Sequence, residues 1–173
     1  RQRQMCIRDR FYRFDKPEDE RFPKMIELFS RTNYLLQEEN GLTPIHIDDS
    51  VSSLSAILLN DAYYQALMDG RENMRGISVL KPEWIIPFKA KAWLDLREKK
   101  DVDSSDIKKH RNDIIRIVSD MVLQKCILPD EVRKDMEKFI EQFDVTESEL
   151  KNLKIRGTKP EDIKRVLQTT YLD

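Results

Sequence analysis

Three charged positions interrupt apolar patterns in this 173-residue chain, and a charge aimed at an apolar face requires either a compensating partner or a task. Glu27 stands inside Met25-Ile26-Glu27-Leu28-Phe29, where the two-residue period of a strand puts it on the same side as Met25 and Phe29. A carboxylate so placed suits a divalent metal, a hard cation that takes oxygen ligands. Its plainer role is to face water on a sheet edge. Lys89 is the second position. At about 100° per residue, Ile85, Phe88, Ala92 and Leu96 form one stripe of a helix; Lys89 falls within it and Lys91 points away, into solvent. A lysine in such a stripe can neutralise a nucleotide phosphate or a carboxylate, or it can carry its charged end out to water along a covered stem. The third is His110-Arg111-Asn112-Asp113. Ile107, Ile114, Val118 and Met121 share a helical face with His110, and Asp113 lies beside it at the third position on, so the two can converge on one site. A histidine on an apolar face can equally be a packed core residue. His110 and His46 do not by themselves make a metal cluster of known spacing, and no zinc site is read from them.

Other chemistries lack their motifs. Neither a G-x-G-x-x-G nor a Walker-type loop occurs, so no glycine-rich phosphate cradle is encoded. The serines of DDSVSSLSA (48–56) have no nucleophile-elbow spacing and read as a polar loop entering a strand. REKKDVDSSD (97–106) reads as a solvated connection. With 39% apolar and 36% charged residues the chain belongs with folded, surface-rich proteins, and no apolar run approaches the ~20 residues of a membrane span.

The elements that position these residues fall into two halves. FYRF (11–14) and KMIELFS (24–30) predict neighbouring strands with a long connection, and PIHI (44–47) a third. SSLSAILL (52–59) is strand or buried helix, since periodicity does not separate the two. Asn60-Asp61 opens a helix that Gly70 ends, and GISVL (76–80) is a strand. Helical periodicity then dominates. Pro82 suits the first turn of a helix reaching about Lys99, with Pro87 implying a later start or a kink. Asp103 followed by Asp106 signals a cap for a helix to about Lys125, placing Cys126 in a helical pattern; Thr146/Glu149 and Thr158/Glu161 have capping-box spacing. The expected class is α+β: a small mixed sheet over 11–80 followed by a helical region over 81–173.

Residues 1–10, RQRQMCIRDR, stand outside this plan. Met5-Cys6-Ile7-Arg8-Asp9-Arg10 back-translates to a string resembling the transposase mosaic end of sequencing libraries, so the stretch reads as translated adapter, not as structure. Without it, Lys+Arg falls from 31 to 27 and Asp+Glu from 32 to 31, a net charge of −4 in place of −1. That mildly acidic balance argues against indiscriminate phosphate binding while leaving room for a local basic pocket. Cys126 is then the sole cysteine, so neither an internal disulfide nor a multi-cysteine zinc site is expected, and a reducing cytoplasm fits. Adapter at that position also predicts that the natural N-terminus lies upstream.

FPKMIELFSR (22–31), VSSLSAILLNDAYY (51–64), LKPEWIIPFKAKAWLDL (80–96) and DIKKHRNDIIRI (106–117) together resemble the nucleotidyltransferase-fold proteins of the abortive-infection AbiEii type, over roughly residues 11–125. The resemblance implies a metal-dependent nucleotidyltransferase-like protein, the toxin half of a bacterial toxin-antitoxin pair, transferring a nucleotide from an NTP to an acceptor with Mg2+. Glu27 matches the family's third acidic position, implied to bind metal. Lys89 matches a helical lysine implied to be catalytic and to hold the nucleotide phosphate. Asp113 matches the second acid of a basic-Asp-x-x-Asp segment, and His110 replaces the first. The implied partners are a cognate antitoxin and an RNA or protein acceptor, with no membrane. The family's Gly-Ser signature and following D-x-D are missing, so this chain alone is expected to be inactive. A non-catalytic interaction module with a degenerate version of this fold is the alternative.

Overall fold

The computed structural model describes residues 13–15, 19, 21, 25–27, 29–31, 42–45, 54–98 and 103–173, the strands before Leu59 by their backbone alone. The chain divides into two compact units, Arg1–Tyr64 and Gln65–Asp173.

In the first unit, β1 (Arg13–Asp15) pairs antiparallel with β2 (Met25–Glu27), Arg13 opposite Glu27. These are the two neighbouring strands expected, but the apolar run does not continue as one strand. β3 (Phe29–Arg31) leaves that pair and runs parallel to β5 (Leu54–Leu59), with Phe29 opposite Ile57. β4 (Leu42–Ile45) lies antiparallel on the other side of β5, completing a mixed sheet of order β3-β5-β4. The ambiguous run LSAILL is therefore the central strand, flanked on both edges, the setting in which a strand reads as continuous apolar sequence. The third strand falls two residues earlier than expected, and His46 lies outside the described residues. Asn60 caps α1 (Asp61–Asp69): its Oδ1 accepts the Tyr63 N–H at 2.9 Å. The unit boundary falls inside this helix.

After the remainder of α1, the second unit continues with a hairpin, β6 (Arg71–Met74) and β7 (Ile77–Leu80), closed by Arg75 and Gly76 at φ 53° and 85°. Positive φ at both central residues is the requirement of a tight hairpin turn matched to strand twist. The Asn73 side chain accepts the Gly76 N–H at 2.8 Å. β7 is the strand expected at 76–80. β6 is exposed throughout and has no apolar alternation to announce it.

Five helices follow: α2 (Pro82–Glu98), α3 (Ser104–Asp120), α4 (Asp130–Gln142), α5 (Glu147–Asn152) and α6 (Pro160–Tyr171). With the sheets of the first unit they make an α+β protein. α2 packs on α3 and α4, and α6 packs on the same two helices. Ile86, Ile114, Ile115, Val132, Met136, Phe139, Ile163 and Leu167 are fully shielded between them. Among the described residues no helix is long and apolar enough to cross a membrane.

Pro87 neither delays nor divides α2, which runs from Pro82 through it. A proline has no N–H for the carbonyl four residues back, here that of Glu83. The buried hydroxyl of Tyr171, at the end of α6, donates to that carbonyl in its place. Burial pushes the Tyr171 hydroxyl pKa well up, which keeps it protonated as the donor. Tyr171→Phe is expected to leave the Glu83 carbonyl unsatisfied and to lower unfolding free energy by about 1–3 kcal/mol, measured as a fall in the urea midpoint at constant slope.

Two boundaries differ from expectation. α3 stops at Asp120 because Met121 turns extended (φ −125°, ψ 147°), and a non-helical connection leads to Pro129. Cys126 lies on that connection, not on a helix; its N–H donates to the Thr170 carbonyl at 2.9 Å, and Cys126 and Leu128 are buried while Ile127 between them is exposed. Packing against α6 outweighs local helical preference here. The α6 cap falls on Lys159, not Thr158: Pro160 takes the first helical position, and the Asp162 carboxylate accepts the Lys159 N–H at 3.2 Å. The expected caps at Asp103 and Thr146 are both present, the latter with its reciprocal Glu149 bond.

Candidate functional site

Lys89 and Asp113 come together. α2 and α3 pack side by side, and across that seam the Lys89 Nζ donates to Asp113 Oδ2 at 2.6 Å. Both side chains are 27% exposed, so the pair is partly dehydrated yet open to a ligand. Arg116, one turn further along α3, brings Nη1 to 3.9 Å from the other Asp113 oxygen. His110, one turn earlier, is half-buried. Its pKa lies below the ordinary 6.5, first through burial and then through the positive charges of Lys89 and Lys109, which outweigh Asp113 and Asp106. Three residues singled out by sequence thus form one cluster, a carboxylate with a lysine and an arginine on it and a neutral imidazole beside it.

The helical wheel found Lys89 by a displaced stripe. The buried face of α2 is Glu83, Trp84, Ile86, Pro87, Ala90, Trp93 and Leu94, whereas Ile85, Phe88, Ala92 and Leu96 form its half-buried flank. Lys89 sits on that flank, which is where α3 can offer it a carboxylate. Lys91 does not simply face solvent: it lies 3.1 Å from Asp95 and 3.5 Å from Asp135 of α4, tying the opposite edge of α2 down. On α3 the buried residues are Ile114, Ile115 and Val118, and Met121 is exposed because the helix has already ended.

Arg111, beside His110 in sequence, serves another purpose that sequence reasoning missed. Its guanidinium grips Glu149 through two parallel bonds, 2.5 and 2.9 Å, donates to the Asp144 carbonyl and lies over the Phe143 ring. Its bonds, with those of Thr146, hold the Glu149 carboxyl down at about 2. Arg111 therefore locks the start of α5 onto α3. The Thr146/Glu149 spacing marks the acid, but nothing local marks a partner 38 residues away. Arg116 was missed as well, although it carries a local signal in its i+3 spacing to Asp113.

Glu27 ends β2 in the first unit, and its side chain lies outside the described residues. Among the described residues no three His, Cys, Asp or Glu side chains are placed to hold a metal ion. Cys126 is buried, and burial pushes its thiol up to about 12, so it is not a ready nucleophile. The chemistry this cluster can perform is anion handling: an ammonium pre-positioned by a carboxylate can turn to a phosphate oxygen with little loss of side-chain freedom.

No protein-family model, no curated protein and no solved structure matches the chain.

Proposed function

We propose that the chain is part of a cytoplasmic, metal-dependent nucleotidyltransferase-like protein, the toxin of a bacterial toxin-antitoxin or abortive-infection pair, which moves a nucleotide from an NTP to an RNA or protein acceptor. The observation that carries this reading is the 2.6 Å bond between Lys89 and Asp113, contributed by two helices. Lys89 meets the nucleotide phosphate; Asp113 holds the ammonium in place beforehand and positions it or the acceptor. Arg116 supplies a second positive charge and His110 a neutral neighbour. Glu27 is the proposed carboxylate for Mg2+.

The test is binding of Mg-NTP to the full chain by calorimetry, beside Lys89→Met. Losing a charge-assisted bond to phosphate costs about 1.5–3 kcal/mol, so the variant is expected to bind roughly ten- to a hundredfold more weakly. No transfer to total RNA is expected from this chain alone, because it contains no Gly-Ser signature followed by D-x-D. Equal affinity in wild type and Lys89→Met, or no affinity in either, overturns the reading.

A non-catalytic interaction module is favoured by a different observation. On the connection after α3, Val122 is 95% and Ile127 89% exposed, and Met121 is half-exposed. Exposed apolar side chains along one connection suit a protein partner such as an antitoxin. Absence of nucleotide binding, with the Lys89–Asp113 bond intact, selects this second reading.

A further inference from the structure

The end of α5 and the connection to α6 carry four cations, Lys151, Lys154, Arg156 and Lys159, with no acid between Glu149 and Glu161. All four are exposed, whereas Leu153 and Ile155 among them are half-buried, so the connection is seated by its apolar residues and turns its charges outward. Among the described residues none of the four makes an ion pair. The flanking carboxylates are taken by other cations: Glu149 by Arg111, Asp144 by Lys164 and Asp162 by Arg165. Glu147 and Glu161 are left, two negative charges against four positive ones. Two of the cations also stand where the backbone favours other residues. Lys154 lies at φ 61°, its N–H donating to the Lys151 carbonyl at 3.0 Å and that of Ile155 to the Leu150 carbonyl at 2.9 Å. Glycine is the residue that takes such a left-handed helix end without strain. Lys159 caps the start of α6, a position that favours Ser, Thr, Asp or Asn and where a positive charge meets the positive end of the helix. Local preference is thus overridden twice within six residues, both times by a cation, and such departures belong at functional sites.

We propose that Lys151, Lys154, Arg156 and Lys159 form a docking surface for the phosphate backbone of a nucleic acid. A protein partner fits less well. Protein interfaces are depleted of lysine and are centred on apolar contacts, whereas three of these four cations are lysines and the neighbouring Leu153 and Ile155 are already half-covered. A phosphate backbone presents one negative charge per nucleotide and asks for no apolar contact. The bases are not read here. From Glu147 to Tyr171 the only aromatic ring is that of Tyr171, which is buried, so the surface has no platform on which a base could stack. The contact is therefore electrostatic and independent of sequence, and it weakens as salt rises. It shares no residue with the Lys89 cluster and needs neither nucleoside triphosphate nor metal, so it stands or falls independently of the nucleotide reading.

Fluorescence anisotropy of the full chain with a labelled single-stranded RNA of about 20 nucleotides, and with DNA of the same sequence, measures the contact in the absence of NTP and Mg2+. Binding is expected, the tighter of the two probes identifying the source of the backbone. The logarithm of the binding constant should fall against that of salt with a slope of about −3, the value for four phosphates on a single strand. The double variant Lys154→Gly with Arg156→Gln should bind roughly tenfold more weakly at about 50 mM salt and flatten the slope to about −1.5. Glycine relaxes the left-handed backbone at position 154, so the urea midpoint should not fall and weaker binding is not a loss of fold. Lys134→Gln, which removes an exposed charge on α4, and Lys89→Met should both bind as wild type does. No binding at low salt overturns the proposal, as does a double variant that binds as tightly as wild type. Tighter binding of polyglutamate than of either nucleic acid overturns it too and assigns the surface to an acidic protein.

Discussion

Gly70→Ala is expected to destabilise the second unit by about 3 kcal/mol, a large effect for one added carbon. The usual reason for glycine after a helix is a left-handed backbone, but Gly70 is not among the residues with positive φ. Its reason is space. A Cβ on Gly70 would fall onto the Cβ and Cγ of Trp84, far inside van der Waals contact, and 2.8 Å from Leu80 Cδ1. The obstructing atoms are the root of the indole, not a tip that can swing aside, and Trp84 is itself buried at the start of α2. Gly70 cannot retreat either. Its N–H donates to the Ala66 carbonyl and its carbonyl accepts the Lys81 N–H, each at 3.0 Å, binding the end of α1 to the base of the hairpin. Urea unfolding followed by circular dichroism should show the midpoint falling with the slope unchanged. A loss under about 1 kcal/mol refutes the close approach of Gly70 to Trp84.

What could be read in advance follows the range of the interaction responsible. Asn60, Asp103 and the Thr146/Glu149 pair act over three residues or fewer, and the helix starts they mark are where they were expected. Gly70 ends α1 as read, though for a reason that involves Trp84, fourteen positions away. The class of strand Leu54–Leu59 was undecidable locally, because its continuous apolar character is explained only by β3 and β4 on its two edges. The end of α3 was misplaced for the same kind of reason: nothing between Met121 and Leu128 breaks a helix, and the segment is instead drawn out by Cys126 bonding to Thr170. Pro87 suggested a later start or a kink, yet α2 starts at Pro82, and the carbonyl that Pro87 leaves without an N–H is met by Tyr171, 84 positions further along the chain. In the site, the types of Lys89, His110 and Asp113 and the wheel positions on α3 were enough to nominate them. That Lys89 reaches Asp113, and that Arg111 turns away to Glu149, depends on how α2, α3 and α5 are placed, which no local pattern carries.

Phe139→Ala should be the most damaging core substitution, at about 3–5 kcal/mol. Phe139 is fully buried on α4 and meets α2 through Trp93, edge to face with ring centres 5.3 Å apart; its other side lies 4.7 Å from the ring of Phe143. Truncation removes both aromatic contacts and leaves a hole under Trp93, whose outer face is covered by the Arg97 guanidinium at 4.2 Å and so is already engaged. The surroundings resist collapse, since Met136 and Ile140 on the same helix are themselves packed with almost no exposure. Phe139→Leu keeps most of the volume and should recover much of the loss, to within about 1.5 kcal/mol of wild type. The consequence for the site follows from geometry: α4 holds α2 by Trp93–Phe139 and by Lys91–Asp135, while Lys89 faces α3 from the adjoining flank. Phe139→Ala should therefore lower the unfolding midpoint and loosen α4, leaving the Lys89 Nζ resonance near its wild-type position while the chain is folded. A displaced Lys89 signal in the folded variant would mean that the α2–α4 contact, and not Asp113 alone, sets the geometry of the cluster.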